Sequence, residues 1–335
     1  MAKQASVGQS WSDNMITIKR YTEEDVEQWN EFIQRAKNAT FLFNRAYMDY
    51  HRDRFTDHSL LISKDSKLVA VLPANEKDGS IYSHGGLSYG GLILELDVRL
   101  EEVLCYFFHL LKYYNETGIG EIIYKCFPSY LSSFPAQEDM YAFHLLNAEL
   151  VRRDSGCVSP LAQQLTYQNR RIRAIKKAEK AGVWVKEIKD PSFFWNHILT
   201  PTLEERHQLK PVHSLDEIRL LSNRFPDSIR FFEAGVLQAT AGAVIYETFN
   251  TAHAQYIAAT SEGRDTGAID LLFHRLLTET FKDKQFFSFG ISNEDNGKHL
   301  NRGLQDWKEG FGGRTIAQDF YKIQTKNYTV LNSYA

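Results

Sequence analysis

The stretch His253-Ala-Gln-Tyr-Ile-Ala-Ala-Thr-Ser-Glu-Gly-Arg-Asp-Thr-Gly-Ala-Ile-Asp-Leu-Leu272 passes from a strand-like run into a glycine-bearing loop and then into the start of a helix. Loop amides and a helix N-terminus together form a site that suits phosphate groups, and Arg264 would add a positive charge to it. The stretch is not a P-loop, because no Gly-Lys-Ser/Thr follows it, and the G-x-G-x-x-G spacing of dinucleotide sites is absent. It predicts a site for a phosphate-bearing ligand or, alternatively, an ordinary strand-to-helix turn.

The two halves of the chain carry the same order of predicted elements. Around the opening stretch, the C-terminal half has predicted strands at 229–233, 237–246, 251–259 and 286–290, and a helix from Ala268 to about residue 282. The N-terminal half has predicted strands at 60–62, 67–74, from Ile81 and at 121–127, and a helix at 100–114. Matching elements such as Ala70 and Ala241 lie about 170 residues apart, which indicates internal duplication.

The first ordered elements are predicted close to the N-terminus. Residues 15–20 alternate like a strand. The sequence Thr22-Glu-Glu-Asp25 is a capping box, and it predicts a helix with Val26, Trp29, Phe32 and Ile33 on one face.

Composition restricts the class of protein. The chain has 335 residues, and about 150 residues per domain is usual, so two domains are expected. With 43% hydrophobic and 24% charged residues and a net charge of -3, the chain is expected to be globular, and nucleic acid or an anionic membrane is not expected as its main partner.

Location and metal content follow from two further features of the sequence. The longest apolar run, residues 103–111, is too short to span a membrane, and the polar N-terminus lacks the apolar core of a secretion signal. The protein is therefore expected in the cytoplasm. Its three cysteines are odd in number and widely spaced, which predicts reduced, mostly buried thiols and no metal site. A catalytic cysteine is an alternative of low weight.

The order of elements predicts an α+β fold, in which mixed, mostly antiparallel sheets are flanked by helices. We expect a flexible tail at residues 1–14, an N-terminal lobe at 15–165 and a C-terminal lobe at 166–335. The C-terminal lobe would begin with a basic helix between Asn169, as N-cap, and Gly182, as the stop, with Ile172, Ile175 and Ala178 as its apolar stripe.

Two segments resemble a known family. Residues 263–268 are similar to the pyrophosphate loop of GNAT acyltransferases, Arg/Gln-x-x-Gly-x-Gly/Ala, with Arg264 and Gly267 at its first two fixed positions and Ile269 at the third. The second segment comprises residues 288–295 and 301–313, which contain Gly-Leu, an aromatic residue, Lys and Gly-Phe-Gly. It resembles the C-terminal signature of the FemAB-like branch of that superfamily. The resemblance implies two tandem GNAT-like lobes, with the basic helix between them.

The resemblance also implies direct transfer of an acyl group, with the donor held by the C-terminal lobe. The implied donor residues are a strand backbone for the acyl carbonyl, a pyrophosphate segment and two asparagines beyond the next strand: Ile257, Ala258, Ala259, Arg264, Asp265, Thr266, Gly267, Ala268, Asn293 and Asn301. The long helical arm that some Fem-type peptidyltransferases use on transfer RNA is missing. Acyl-CoA, most simply acetyl-CoA, is therefore the expected donor.

Three residues are candidates for proton transfer on or beside the predicted donor strands. His253 could act as a base, because neutral imidazole is available near pH 7, or it could be a packed strand histidine. Tyr256 could protonate the leaving thiolate or simply pack. Glu294 follows a strand end, where polar residues often face a cleft but also form turns.

The acceptor is expected on the N-terminal lobe. The sequence Tyr82-Ser-His84-Gly-Gly with Tyr89-Gly-Gly91 combines rings, a histidine and open backbone, which suits a sugar or nucleotide-sugar, or a bulged hairpin. His213 is a further acceptor-side candidate. An amine of an amino sugar or another cell-envelope precursor is the expected acceptor.

Two other functions stay open from the sequence alone. The basic helix Arg170–Lys180 could be a solvated surface, or it could bind phosphates of a nucleotide-linked acceptor or RNA. RNA binding would accompany an aminoacyl-tRNA donor. The incomplete loop pattern and the lack of one decisive base also allow a pair of GNAT-like lobes that binds a ligand without catalysis.

Overall fold

The structure, a computed structural model, describes residues 16–335, without the side chains of residues 206 and 207. The chain forms two compact units. Unit 1 contains the described residues up to Arg153 together with Asp319–Ala335, and unit 2 is Asp154–Gln318. Mixed sheets flanked by helices form both units, which confirms the predicted α+β class.

The units divide the chain differently from the predicted boundary between residues 165 and 166. Residues 156–160 pair with the strand Phe286–Ile291, so they belong to unit 2. Residues 320–324 pair with the strand Glu121–Lys125, so the C-terminal segment belongs to unit 1. Both pairings join residues far apart in sequence. The predicted tail at residues 1–14 lies outside the described residues.

Unit 1 is built on two sheets and four α-helices. Its elements are β1 (Ile16–Arg20), α1 (Val26–Arg35), α2 (Arg45–Met48), β2 (Thr56–Asp57), β3 (Leu60–Lys64), β4 (Lys67–Leu72), β5 (Asn75–Lys77), β6 (Ser80–Tyr82), β7 (Ile93–Leu94), α3 (Leu100–Glu116), β8 (Glu121–Lys125), α4 (Glu138–Leu145) and the start of β9 (Glu149–Pro160). The first sheet has the order β1-β3-β4-β7. The second has the order β2-β5-β6-β8, followed by residues 320–324 at the end of β17 (Arg314–Gln324), and β6 and β8 are parallel.

The core of unit 1 surrounds α3, whose apolar residues are buried on several faces. The predicted capping box at Thr22–Asp25 is present, and Trp29, Phe32 and Ile33 of the predicted face are buried. Val26 is not buried: it is 40% exposed, because α1 begins at this residue and its first turn points outwards.

Unit 2 contains a six-stranded mixed sheet and six α-helices. Its elements are α5 (Asn169–Lys180), β10 (Trp184–Ile188), α6 (Thr200–His207), α7 (Leu215–Arg224), β11 (Ile229–Gly235), β12 (Ala239–Glu247), β13 (Thr251–Ala259), α8 (Ser261–Thr266), α9 (Ala268–Arg275), β14 (Phe286–Ile291), β15 (Asn293–Glu294), β16 (His299–Leu300), α10 (Arg302–Glu309) and the start of β17 (Arg314–Gln324). The sheet order is β10-β11-β12-β13-β14-β9, and only β13 and β14 are parallel.

The segment predicted as a glycine-bearing loop is largely helical. Residues 261–266 form α8, because the Thr260 side chain accepts a hydrogen bond from the Gly263 amide at 3.1 Å and caps the helix. Gly267, with φ of 81°, ends α8 and starts α9. The helix predicted from Ala268 continues as an α-helix to Arg275 and as a π-helical turn to Thr280.

The two glycines of this segment serve close packing within the chain. A Cβ atom on Gly263 would overlap the carbonyl oxygen of Thr240 on β12, and one on Gly267 would overlap the carbonyl oxygen of Ala174 on α5. The predicted apolar stripe of α5 is present: Ile175 and Ala178 are buried in the core with α9. Glycine at 267 therefore permits α5 to lie against the start of α9.

Among the described residues, no helix combines the length and the apolar character needed to cross a membrane. Cys105, Cys126 and Cys157 are buried and free.

The change Gly267→Ala tests the contact between α9 and α5. Any alanine at positive φ costs about 1–2 kcal/mol. Gly182→Ala is the matched control, because Gly182 has φ of 73° and open space around its missing Cβ. We expect Gly267→Ala to lower the free energy of unfolding in urea by about 1–3 kcal/mol more than Gly182→Ala, from overpacking. Equal losses of unfolding free energy in the two variants would show that α5 moves to accommodate the added methyl group without cost.

Candidate active site

The strands β13 and β14 separate in the middle of the unit 2 sheet. They pair in parallel at only three positions, Thr251 with Phe286, Ala252 with Phe287 and His253 with Ser288. Beyond His253, β13 continues along β12, while β14 continues to Ile291, which pairs with β9. No described strand pairs with the β14-facing edge of residues 254–259. Backbone groups on such an open edge can bind an extended ligand by β-type hydrogen bonds.

A β-bulge in β13 determines which side chains face the site. Val244 of β12 is opposite Tyr256 and Ile245 is opposite Ala254, so Gln255 is an extra residue. Ala254 points into the core with α9. The bulge reverses the alternation after Ala254 and places Tyr256 against Trp195, with ring centroids 5.1 Å apart.

The bulge brings two predicted site residues into contact. His213 is buried, and its Nδ1 lies 2.6 Å from the hydroxyl oxygen of Tyr256. The backbone N–H of His213 donates to the same oxygen at 3.2 Å. Which of the two groups donates in the 2.6 Å contact depends on the tautomer of the imidazole. The predicted proton donor Tyr256 is therefore linked to a second group that can carry a proton.

His253 lies at the last paired position of β13. Its Nδ1 is 3.0 Å from the hydroxyl of Ser288, which is fully buried and accepts from the Gly290 amide at 3.3 Å. Burial, together with the charge of Lys308, lowers the pKa of His253 to about 4. The imidazole is therefore neutral at pH 7 and accepts a proton less readily than an ordinary histidine.

From the sequence, Lys308 and Glu309 could form an active pair or a solvated helix face; in the structure, Lys308 on α10 is buried, which excludes the solvated face for this residue. Its ammonium donates to the carbonyl oxygens of Gly290 at 3.2 Å and Ile291 at 2.6 Å, and it is 2% exposed. Burial lowers the pKa of Lys308 to about 8. A buried positive charge thus lies at the end of β14, close enough to affect His253. Glu309, its predicted neighbour, accepts a hydrogen bond from Gln305.

The cysteine of this region is not activated. Cys157 is fully buried, and burial raises the pKa of its thiol to about 11, although the charge of Lys308 acts in the opposite direction.

The polar residues after β14 form a local hairpin. The amide of Asn301 donates to Glu294 at 2.9 Å, and the side-chain oxygen of Asn301 caps α10 at the Leu304 amide. The side-chain oxygen of Asn293 accepts from the Ser155 amide. Glu294 is exposed. Each of the three predicted residues thus has a partner that shapes the hairpin, and their roles in binding or catalysis stay predictions.

The predicted donor segment lies at the C-terminal end of β13. Ala258 and Ala259 are buried on the strand, and Ile257 is half-buried. Arg264 donates to the Ala259 carbonyl and to the Ser261 hydroxyl. On α8, Asp265 is exposed, and its backbone carbonyl accepts a hydrogen bond from Lys177. The Thr266 hydroxyl donates to the Glu262 carbonyl. Ala268, the first residue of α9, is buried.

A cavity of about 650 Å³ borders this segment. One wall carries Thr240, Thr260, Ser261 and Arg264, and the other carries the stacked rings of Phe193 and His197. This volume is within the usual range of about 300–1,000 Å³ for small-ligand sites. Among the described residues, no group of His, Cys, Asp and Glu is placed to hold a metal ion.

The acceptor candidates of unit 1 occupy different environments. Tyr89 is buried, and its hydroxyl is bonded to Thr40 at 2.8 Å. Tyr82 is half-buried on β6, and His84 is buried beside a small cavity. The glycines of this loop serve internal packing, since a Cβ on Gly90 would overlap the Ser83 carbonyl.

Sequence reasoning missed Ser288 and Gly290 and gave Lys308 little weight. The partner of His253 follows from the parallel register, which the sequence does not determine. Lys308 had a usable signal: it lies three residues before the buried Phe311 and three after the buried Gln305, on the inner face of α10.

No protein-family profile and no curated protein sequence matches this chain. Solved structures do resemble it. FemX has a TM-score of 0.65 and 10% identity over 94% of this chain and 100% of its own. The C-terminal domain of a putative lysylphosphatidylglycerol synthetase from Agrobacterium fabrum has a TM-score of 0.60 and 11% identity over 90% and 91% of the two chains. A tandem GNAT protein from the clavulanic acid biosynthesis pathway has a TM-score of 0.50 and 12% identity over 92% and 98%.

At such low identity these similarities concern the fold. The chain has the tandem GNAT-like, FemAB-like fold that its sequence predicted.

Proposed function

We propose that this protein is an acyltransferase that moves an acyl group from acyl-CoA to an amine, with acetyl-CoA as the simplest donor. The proposed acceptor is an amino sugar or another precursor of the cell envelope. The observation that carries the proposal is the open edge of β13 beyond His253, which begins beside the buried ammonium of Lys308.

The open edge suits the arm of coenzyme A, which is extended and carries amide groups. Backbone groups of residues 254–259 can pair with these amides as a neighbouring strand would. The thioester would then lie near Gly290, where the strands separate. The phosphates would lie towards the cavity beside Arg264, whose guanidinium is suited to bind them.

The reaction joins the acceptor nitrogen to the thioester carbon. The nitrogen lone pair forms the C–N bond, and the carbonyl electrons move to oxygen. When the carbonyl re-forms, the C–S bond breaks and the thiolate leaves. The proton lost by nitrogen balances the proton gained by sulfur. Orientation of the bound reactants can contribute about 7–11 kcal/mol to such a transfer.

Three groups have distinct proposed roles in this reaction. Lys308 stabilises the negative oxygen, because a buried positive charge acts strongly in a site from which water is excluded. The hydrogen-bonded pair Tyr256 and His213 carries the proton towards the thiolate. His253, which is neutral at pH 7, serves as a hydrogen-bonding group rather than as a proton acceptor.

A second candidate donor is an aminoacyl-tRNA. It is favoured by one observation: Arg173, Lys176 and Lys180 are exposed on α5, and a surface of this kind suits a polyanion. The aminoacyl ester would use the same edge of β13 and the same attack by an amine. A pair of lobes that only binds a ligand is the remaining alternative.

Calorimetric titration of the protein with acetyl-CoA, free CoA and bulk tRNA separates these functions. We expect one site per chain for both CoA species, and an affinity about tenfold lower in Arg264→Gln, because a charge-assisted hydrogen bond is lost. Arg275→Gln is the matched control, since Arg275 at the end of α9 pairs with Glu279 of the following π-helical turn and does not line the cavity. Binding of tRNA alone would move the assignment to an aminoacyl-tRNA donor, and binding of neither would favour the non-catalytic pair.

The change Lys308→Met tests the proposed oxyanion stabilisation. We expect kcat to fall by about 10²–10³-fold, while the affinity for acetyl-CoA changes little, because Lys308 would act only on the charge of the transition state. The exposed Lys298 provides the control Lys298→Met. Thermal melts of both variants check folding. A folded Lys308→Met protein with unchanged kcat would contradict the role.

The neutral state of His253 predicts a pH-dependent contribution to stability. Between pH 6.5 and about 4 the unfolded chain binds a proton at this histidine and the folded chain does not. The free energy of unfolding therefore falls as the pH is lowered through this window, by at most about 3 kcal/mol from this group. We measure the free energy of unfolding by urea denaturation at a series of pH values. We expect His253→Gln to remove this histidine's contribution to the pH dependence, and the exposed control His299→Gln to retain it. If the free energy of unfolding depended on pH equally in wild type and in His253→Gln, the neutral state assigned to His253 would be contradicted.

A further inference from the structure

Unit 1 contains a cavity of about 210 Å³ that the proposed transfer chemistry does not use. It lies between the 3-10 turns Glu23–Asp25 and Asp49–His51, the helix α2 and the loop after β6. Its lining is mixed, with three carboxylates, two guanidiniums, two imidazoles and apolar side chains: Tyr21, Thr22, Glu23, Arg45, Met48, Asp49, His51, Arg52, Phe55, Asp57 and His84.

His84 lines this cavity and carries one hydrogen-bond donor. The residue is 3% exposed, and its Nδ1 accepts from the Gly86 amide at 3.1 Å, so Nδ1 carries no proton. Burial lowers the pKa of His84 to about 3, with further contributions from the charges of His51, Lys125 and Arg45. The imidazole is therefore neutral, and its one proton is on Nε2. No described residue accepts a hydrogen bond from that nitrogen.

The lining of the cavity also carries negative charge. Arg45 is buried and binds both Asp49 at 2.6 Å and Asp57 at 2.8 Å. Asp57 is further engaged by the backbone amide and hydroxyl of Ser59. The lining holds three carboxylates and two guanidiniums, so its net charge is -1. Burial raises the pKa of Asp49, although the charge of Arg45 acts in the opposite direction.

We propose that this cavity binds a small hydroxylated amine of the size of one aminohexose. The ligand's ammonium compensates the excess negative charge at Asp49, and a hydroxyl oxygen accepts from Nε2 of His84. Phe55 and Met48 provide apolar surface for the carbon face of the ring. The cavity volume limits the ligand to about one ring.

The same groups argue against an anionic ligand. A phosphate or carboxylate would meet the net negative lining, and the only exposed guanidinium there, that of Arg52, is paired with Glu23 at 3.1 Å. A neutral sugar could use His84 and Asp49 but would leave the excess charge uncompensated. The proposal rests on unit 1 alone and does not depend on the acyl-transfer reaction proposed above.

D-glucosamine is the probe, and D-glucose and D-glucose 6-phosphate are its neutral and anionic counterparts. The imidazole resonances of His84 in the wild-type protein, followed by ¹H–¹⁵N NMR during titration, report contact without any mutation. We expect D-glucosamine to shift the Nε2 signal in a saturable way, and at least tenfold weaker binding of both counterparts.

A pair of charge-matched variants completes the test. Asp49→Asn should weaken D-glucosamine binding about tenfold or more, whereas Glu24→Gln, which removes an exposed carboxylate outside the cavity, should leave it unchanged. If Asp49→Asn unfolds, the wild-type His84 titration decides alone. The proposal is overturned if D-glucosamine leaves His84 unshifted, if both variants bind alike, or if D-glucose or D-glucose 6-phosphate binds as tightly.

Discussion

The site in unit 2 depends on one interaction, the buried ammonium of Lys308 bound to the last carbonyls of β14. Removing an isolated ammonium from water costs several kcal/mol, so its position must be compensated. The carbonyls of Gly290 and Ile291 offset part of this cost, and the lowered pKa of Lys308 reflects the remainder. Gly290 has φ of 71°, which few other residues adopt, and this conformation bends β14 away after its third pair with β13. The open edge of β13 follows from that bend.

The β-bulge at Gln255 is the second constraint on the site. Before the bulge, β13 buries Ala252 and Ala254 towards α9. After the bulge, the strand presents Tyr256 to the opposite face of the sheet. If the same sequence paired regularly, Tyr256 would lie opposite Ala243 and enter the alanine-rich core beneath α9. Its hydroxyl would then lose both contacts with His213. A single inserted residue therefore determines which groups the edge of the strand presents to a ligand.

Local patterns in the sequence predicted local structure well. The capping box at Thr22–Asp25, the buried face of α1 and the apolar stripe of α5 each depend on residues within a few positions of one another. The missed features depend on distant partners. The boundary between the units follows from the pairing of residues 156–160 with β14, and the contact of His253 with Ser288 follows from a parallel register. Neither register is determined by residues close in sequence.

The segment 260–267 shows how a sequence resemblance can fit while the physical reason differs. A phosphate loop requires free amides, yet three of the amides here are already used within the chain. The Gly263 and Arg264 amides bond to Thr260, and the Gly267 amide bonds to Arg264. In the proposed function, side chains therefore take over anion recognition at this end of β13, chiefly the guanidinium of Arg264 beside the cavity. Its glycines serve to bring α8 onto β12 and α9 onto α5, and this packing is what positions the guanidinium.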